Sequence, residues 1–151
     1  MKIRKAKMDS KGKVRIEYEK ESSEGVETHT LECEDSPRPE FQEALKALVG
    51  DVIEICEISC DADRITVLGV SFSWTHDIMG AVITAMKGLV AGGSPLLLNT
   101  PHRPSEPYGE KAGGPTLDLS TVKRLESVMD EATKYVMGER AQGTLPLKDE
   151  P

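Results

Sequence analysis

Cysteine and aromatic residues are scarce in this chain: three Cys, two Phe, three Tyr and one Trp in 151 residues. Cys33, Cys56 and Cys60 are odd in number and lack C-x-x-C spacing, which argues against a disulfide framework or a zinc site and leaves reduced thiols as the expectation. Long apolar runs are missing too. No stretch reaches the roughly 18 residues of a membrane span, and the basic run after Met1 leads into no apolar signal segment, so a cytoplasmic protein is expected. Basic residues are in deficit, with 19 Lys and Arg against 26 Asp and Glu and a net charge of −7. A general grip on nucleic acid needs a clustered cationic excess, so none is expected. Also absent are the G-x-x-x-x-G-K-[S/T] phosphate loop, the H-E-x-x-H zinc motif and the G-x-S-x-G nucleophile elbow. Common enzyme chemistries therefore have no foothold, and no cofactor or metal is implied.

What is present suits one domain, since a chain of this length buries roughly 70% of its unfolded surface without staples. Residues 2–8 and 14–19 alternate apolar and polar and flank the turn-forming Asp9-Ser-Lys-Gly12, which predicts a hairpin. A third, weakly apolar strand over 26–33 is expected at a sheet edge. After Pro37 and Pro39, Phe41, Ala44, Leu45 and Leu48 fall at helical spacing, with Gly50 placed to end that helix. Val52, Ile53, Ile55 and Ile58 predict a strand over 52–58.

The densest information lies between Arg64 and Tyr108. Residues 65–74 read as a strand with Leu68, Val70, Phe72 and Trp74 on one face. Residues 79–90 fit either period, but Gly80 and the β-branched Val82-Ile83-Thr84 favour a strand turning back across Thr75-His76-Asp77. Leu96 to Asn99 would complete a meander, and 109–114 a loop. A last helix is predicted over 120–137 from Val122, Leu125, Val128, Met129, Ala132, Tyr135 and Val136, with Ser120 as cap and Gly138 as terminator. The sum is an α+β domain over 1–138, an antiparallel sheet of β-meanders with two main helices packed on one face, followed by a flexible, disordered acidic tail over 139–151.

Two places could carry function. In the segment 99–108, prolines 101, 104 and 107 stiffen a polar rim of Asn99, Thr100, His102, Arg103, Glu106 and Tyr108. With Trp74 and His76 nearby, this rim is the candidate ligand site, Arg103 able to fork onto a phosphate and the rings able to stack on a base. In the tail, Gln142, Leu145 and Leu147 form a Gln-x-x-Leu-x-Leu pattern that resembles the peptides by which bacterial replication and repair proteins dock on the sliding clamp. An extended peptide of that kind sets two leucines in an apolar groove while the amide fixes register. His76 with Asp77, and His102 with Glu106, are possible acid and base pairs, but neither has an evident nucleophile.

The segments 64–74, 78–81, 98–108, 139–142 and 38–41 together resemble a group of small proteins encoded by tailed phages and prophages. That resemblance covers most of the chain and implies a setting in bacterial cytoplasm; no activity is assigned to the group, so it carries over no site residue. The expectation is thus a non-enzymatic phage accessory protein acting by binding, in replication or recombination through a clamp-docking tail. The alternative is a counter-defence protein that sequesters a nucleotide signal or blocks a host protein, with a small hydrolase or nucleotide-processing enzyme third. A homodimer through the weak edge strand at 26–33 is a further expectation.

Overall fold

The computed structural model describes residues 1–107 and 114–141. Strands β1 (Lys2–Met8), β2 (Val14–Ser22) and β3 (Gly25–Cys33) form the first meander, and β4 (Ile65–Thr75), β5 (Ile78–Lys87) and β6 (Leu96–Asn99) the second, with a short β7 (Arg103–Pro104) beside β5. They join in one antiparallel sheet of order β3-β2-β1-β4-β5-β6, β7 pairing with β5 off that path. Between the meanders run α1 (Pro39–Lys46) and α2 (Val49–Cys56), and α3 (Leu119–Val136) follows β7. The α+β class and the single antiparallel sheet thus agree with the sequence reading.

Alternation decides which face of the sheet is covered. Ile3, Ala6, Val14, Ile16, Val67, Val70, Phe72, Met79, Ala81, Ile83 and Ala85 are all buried. They meet across the strands in the pairs Ala6 with Ile16, Ala6 with Val70, Val70 with Ile83 and Phe72 with Ala81. The intervening residues form the opposite, open face. There, charges of opposite sign sit on neighbouring strands, including Arg4 and Glu19 at 2.6 Å and Arg15 and Glu32 at 3.4 Å. Such cross-strand pairs each add a fraction of a kcal/mol and fix register.

Four expectations need correction. Residues 52–58 are not a strand: Val49–Cys56 is helix α2, and Gly50 lies inside it. The reason is a stripe at Phe41, Leu45, Leu48, Val52 and Ile55, spaced four, three, four and three, that is buried along its whole length and continues one apolar face through the bend between α1 and α2. Termination falls instead to Glu57, left-handed at φ 54°, with the Ile58 N–H donating to the Ile53 carbonyl at 3.2 Å. Leu68 departs from the face of Val70 and Phe72, because the register between β4 and β5 shifts at Val67 and Gly69 and Leu68 is the extra residue of a bulge. Gly69 is needed there, since a Cβ would stand 2.5 Å from the Ala6 carbonyl oxygen. Helix α3 begins after Asp118, which takes the cap position two residues before the expected Ser120. Finally, residues 139–141 are ordered, while 142–151 lie outside the described residues, as does most of the expected 109–114 loop.

Helices α2 and α3 are locked together by a buried carboxylate. Asp51, 5% exposed, accepts Thr121 Oγ1 at 2.7 Å and both the Nε and Nη2 of Arg124 at 2.7 Å. This bidentate fork satisfies both carboxylate oxygens and holds the Arg124 guanidinium protonated ever more firmly, its pKa raised above the usual value chiefly by the Asp51 hydrogen bonds. Removing one member strands the other, so Asp51→Ala is expected to lower stability by about 3 kcal/mol in chemical denaturation, and Asp51→Leu combined with Arg124→Met to recover most of that loss.

Candidate functional site

The residues of the expected polar rim are dispersed by the alternation of the chain that carries them. Arg103 pairs with Ala81 on the covered face and lies close enough to α2 for its charge to act on Cys56, whose thiol pKa is pushed up by burial and pulled the other way by Arg103. Its Nε is buried and has no hydrogen-bond partner. His102, one residue earlier, lies on the open face, its Nε2 2.7 Å from Ser73 Oγ. Thr100 is buried and structural: its N–H donates to the Ile83 carbonyl and its Oγ1 accepts the Ile83 N–H, both at 2.9 Å, replacing backbone pairing just where Pro101 has no N–H to give. Asn99 accepts Thr84 Oγ1 at 2.7 Å on the open face.

His76 and Asp77 form the two-residue tip between Thr75 and Ile78, with φ of 51° and 64°. Positive φ at both positions is the twist-matched turn of a tight hairpin, so backbone geometry accounts for the exposed His76. Trp74 spends its Nε1 on the Ile3 carbonyl at 3.2 Å, and Lys2 Nζ rests 5.2 Å from its ring. Of the described rim residues, Glu106 alone lines a cleft with Trp74. Tyr108, Gln142, Leu145 and Leu147 lie outside the described residues.

The contact of Ser73 with His102 was not foreseen from sequence. Its signal was Gly80: a Cβ at that position would stand 2.7 Å from Ser73 Oγ and collide with the His102 ring, so the glycine leaves room for imidazole to lie on the sheet. A histidine that accepts a serine proton is the beginning of nucleophilic chemistry. Acyl transfer also needs a group that orients the ring and donors aimed at an oxyanion. Among the described residues, His102 has no second hydrogen-bond partner in the structure and no group of three metal-ligating side chains is gathered anywhere. The pair fixes the β7 crossover onto β4 and β5.

Two concavities lie close to these residues or offer an apolar floor. A groove of ≈ 680 Å³ opens between the α1–α2 layer and the ends of β1 and β4, floored by Met8, Leu45, Val49, Ile65 and Val67 and rimmed by Gln42, Lys46, Asp63 and Thr66. Size and an apolar floor with few polar groups are those of a ligand or side-chain pocket. A second cleft of ≈ 470 Å³ runs between Trp74 and α3, its apolar walls from Met79, Val122 and Met129 and its rim from Asp77, Glu106 and Glu126. Three carboxylates make this second cleft unfit for phosphate.

Residues 140 and 141 are tied to the body by several contacts. Arg140 donates to Asp35 Oδ2 at 2.8 Å, lies 4.2 Å from the centre of the Tyr135 ring and bridges to Pro37, while the Ala141 N–H donates to the Ser36 carbonyl at 3.0 Å. Tyr135 in turn donates its hydroxyl to the Asp35 carbonyl at 2.6 Å, and its pKa is raised, mainly by burial. Comparison with known proteins finds no matching family model, curated protein or solved structure.

A test of the open-face geometry is direct. Gly80→Ala should destabilise by about 1–2 kcal/mol through the clash with His102, and His102→Ala in the same chain should relieve it, measured as a double-mutant cycle by thermal or urea unfolding.

Proposed function

We propose that this chain is a phage-encoded accessory protein that works in bacterial cytoplasm by binding, its tail docking on a sliding-clamp-type partner while the folded body presents a second contact surface. The observation that carries this reading is the anchor at Arg140. Gln142, the residue that would set register in a docked peptide, comes two positions after a side chain that is 13% exposed, ion-paired to Asp35 and stacked on Tyr135. A peptide leaving from a fixed point spends its remaining freedom within a short radius of the body, which raises the effective concentration of any second contact. The apolar groove over Met8, Leu45 and Ile65 supplies a surface for that contact.

Capture of a nucleotide signal by the 99–108 rim draws little support from this arrangement. Arg103 and His102 face opposite sides of the sheet, and the cleft beside Trp74 is ringed by Asp77, Glu106 and Glu126, which repel an anion.

Binding of the full chain to a purified bacterial sliding clamp tests the proposal, by calorimetry or surface resonance. Removal of residues 142–151, or Leu145→Ala with Leu147→Ala, should weaken the complex at least about tenfold, a loss of about 1.4 kcal/mol, with the melting temperature of the body unchanged. Equal binding by the full and shortened chains would refute it.

A further inference from the structure

The two edges of the sheet are built differently. Strand β3 spans nine residues and carries Glu27 and Glu32, the charged side chains that keep an edge from recruiting another strand. Strand β6 at the opposite edge reads Leu-Leu-Leu-Asn. No charged residue occurs from Gly88 to Pro101 in a chain that is 30% charged. Within that stretch Leu89, Val90, Leu96 and Leu97 are 41%, 86%, 48% and 60% exposed, four of the eight large apolar side chains left open among the described residues.

The backbone of β6 tells which groups are free. Directly opposed residues in an antiparallel ladder alternate between pairs that exchange hydrogen bonds and pairs that do not. The Thr100 N–H bonds the Ile83 carbonyl, so Leu98 opposite Ala85 and Leu96 opposite Lys87 are bonded positions. Leu97 and Asn99 therefore turn their N–H and C=O away from β5, and no strand meets them among the described residues. Further along, β7 is covered, since the Leu117 N–H donates to the Pro104 carbonyl. The free edge is limited to β6.

We propose that β6 is a dimerisation edge, pairing antiparallel with β6 of a second copy about a two-fold axis near Leu98. Leu97 of each copy then exchanges backbone hydrogen bonds with Asn99 of the other, and the two sheets become one. A second copy is the occupant that the chemistry favours. Antiparallel pairing of an edge with itself is self-complementary. Two bodies of net charge −7 repel except where charge is absent, and the uncharged stretch coincides with the open backbone. Leu96 and Leu98 share the covered side of the sheet with Ala85, so pairing extends the apolar layer across the axis while Leu97 packs on the other side.

The test uses the full chain and does not depend on the tail reading. Sedimentation velocity or light scattering should give twice the 16.5 kDa chain mass at concentrations up to about 100 µM, with dissociation on dilution. Leu97→Lys and Leu97→Pro should each weaken the dimer about a hundredfold, the first by bringing two like charges to diagonal positions across the axis on one side of the joined sheet and the second by removing an N–H that β5 does not use. Val26→Lys on the β3 edge should leave it intact. Amide exchange in the unaltered chain gives a reading independent of any variant: Leu97 and Asn99 protected at high concentration and exposed on dilution, Leu96 and Leu98 protected throughout. A single-copy mass at the highest concentration, a dimer that survives both Leu97 variants, a dimer broken by Val26→Lys, or Leu97 and Asn99 amides indifferent to concentration would each overturn the proposal.

Discussion

Everything in this fold follows from a sheet that is covered on one face only. Along β4 and β5 the large side chains Val70, Phe72, Met79 and Ile83 are buried, while Ser71, Ser73, Gly80, Val82 and Thr84 lie on the open side. The helices pack on the apolar side, α1 with α3 and each against the central strands. Hydrophobic burial gives this layer its stability but no unique orientation. Orientation comes from polar groups placed inside it, above all the Asp51 fork to Thr121 and Arg124.

Most of the strands were legible because period-two alternation is a strong signal when one face is buried and the other wet. The segment 79–90 was ambiguous by spacing, and its β-branched centre pointed to the strand that β5 proves to be. The segment 52–58 misled for the opposite reason. Val52, Ile53 and Ile55 have strand-favouring side chains, and Gly50 looks like a terminator, yet the stripe from Phe41 to Ile55 needs the helix to continue; tertiary burial outweighed local preference. Leu68 was misplaced because a bulge adds one residue and carries no composition of its own.

The described residues of the candidate rim are spread over different parts of the fold. Residues 99–108 are rich in groups that bind ligands, but proximity in sequence is not convergence in space. Neighbours on an extended chain point to opposite faces, so Arg103 reaches toward Cys56 while His102 rests on Ser73. Thr100 and His76 are explained by the backbone they complete. The groove over Met8 and Ile65 could not be read at all, since its walls come from separate elements brought together only by the fold.

The clasp at Arg140 has a mechanical corollary. Because Arg140 and Ala141 are tied to Asp35, Pro37 and Ser36, a force applied through the last residues would not peel α3 from its C-terminal end. It would be delivered as shear onto the segment that joins β3 to α1, and from there across the whole sheet. The domain should therefore resist traction on Ala141 better than its thermal stability alone would suggest.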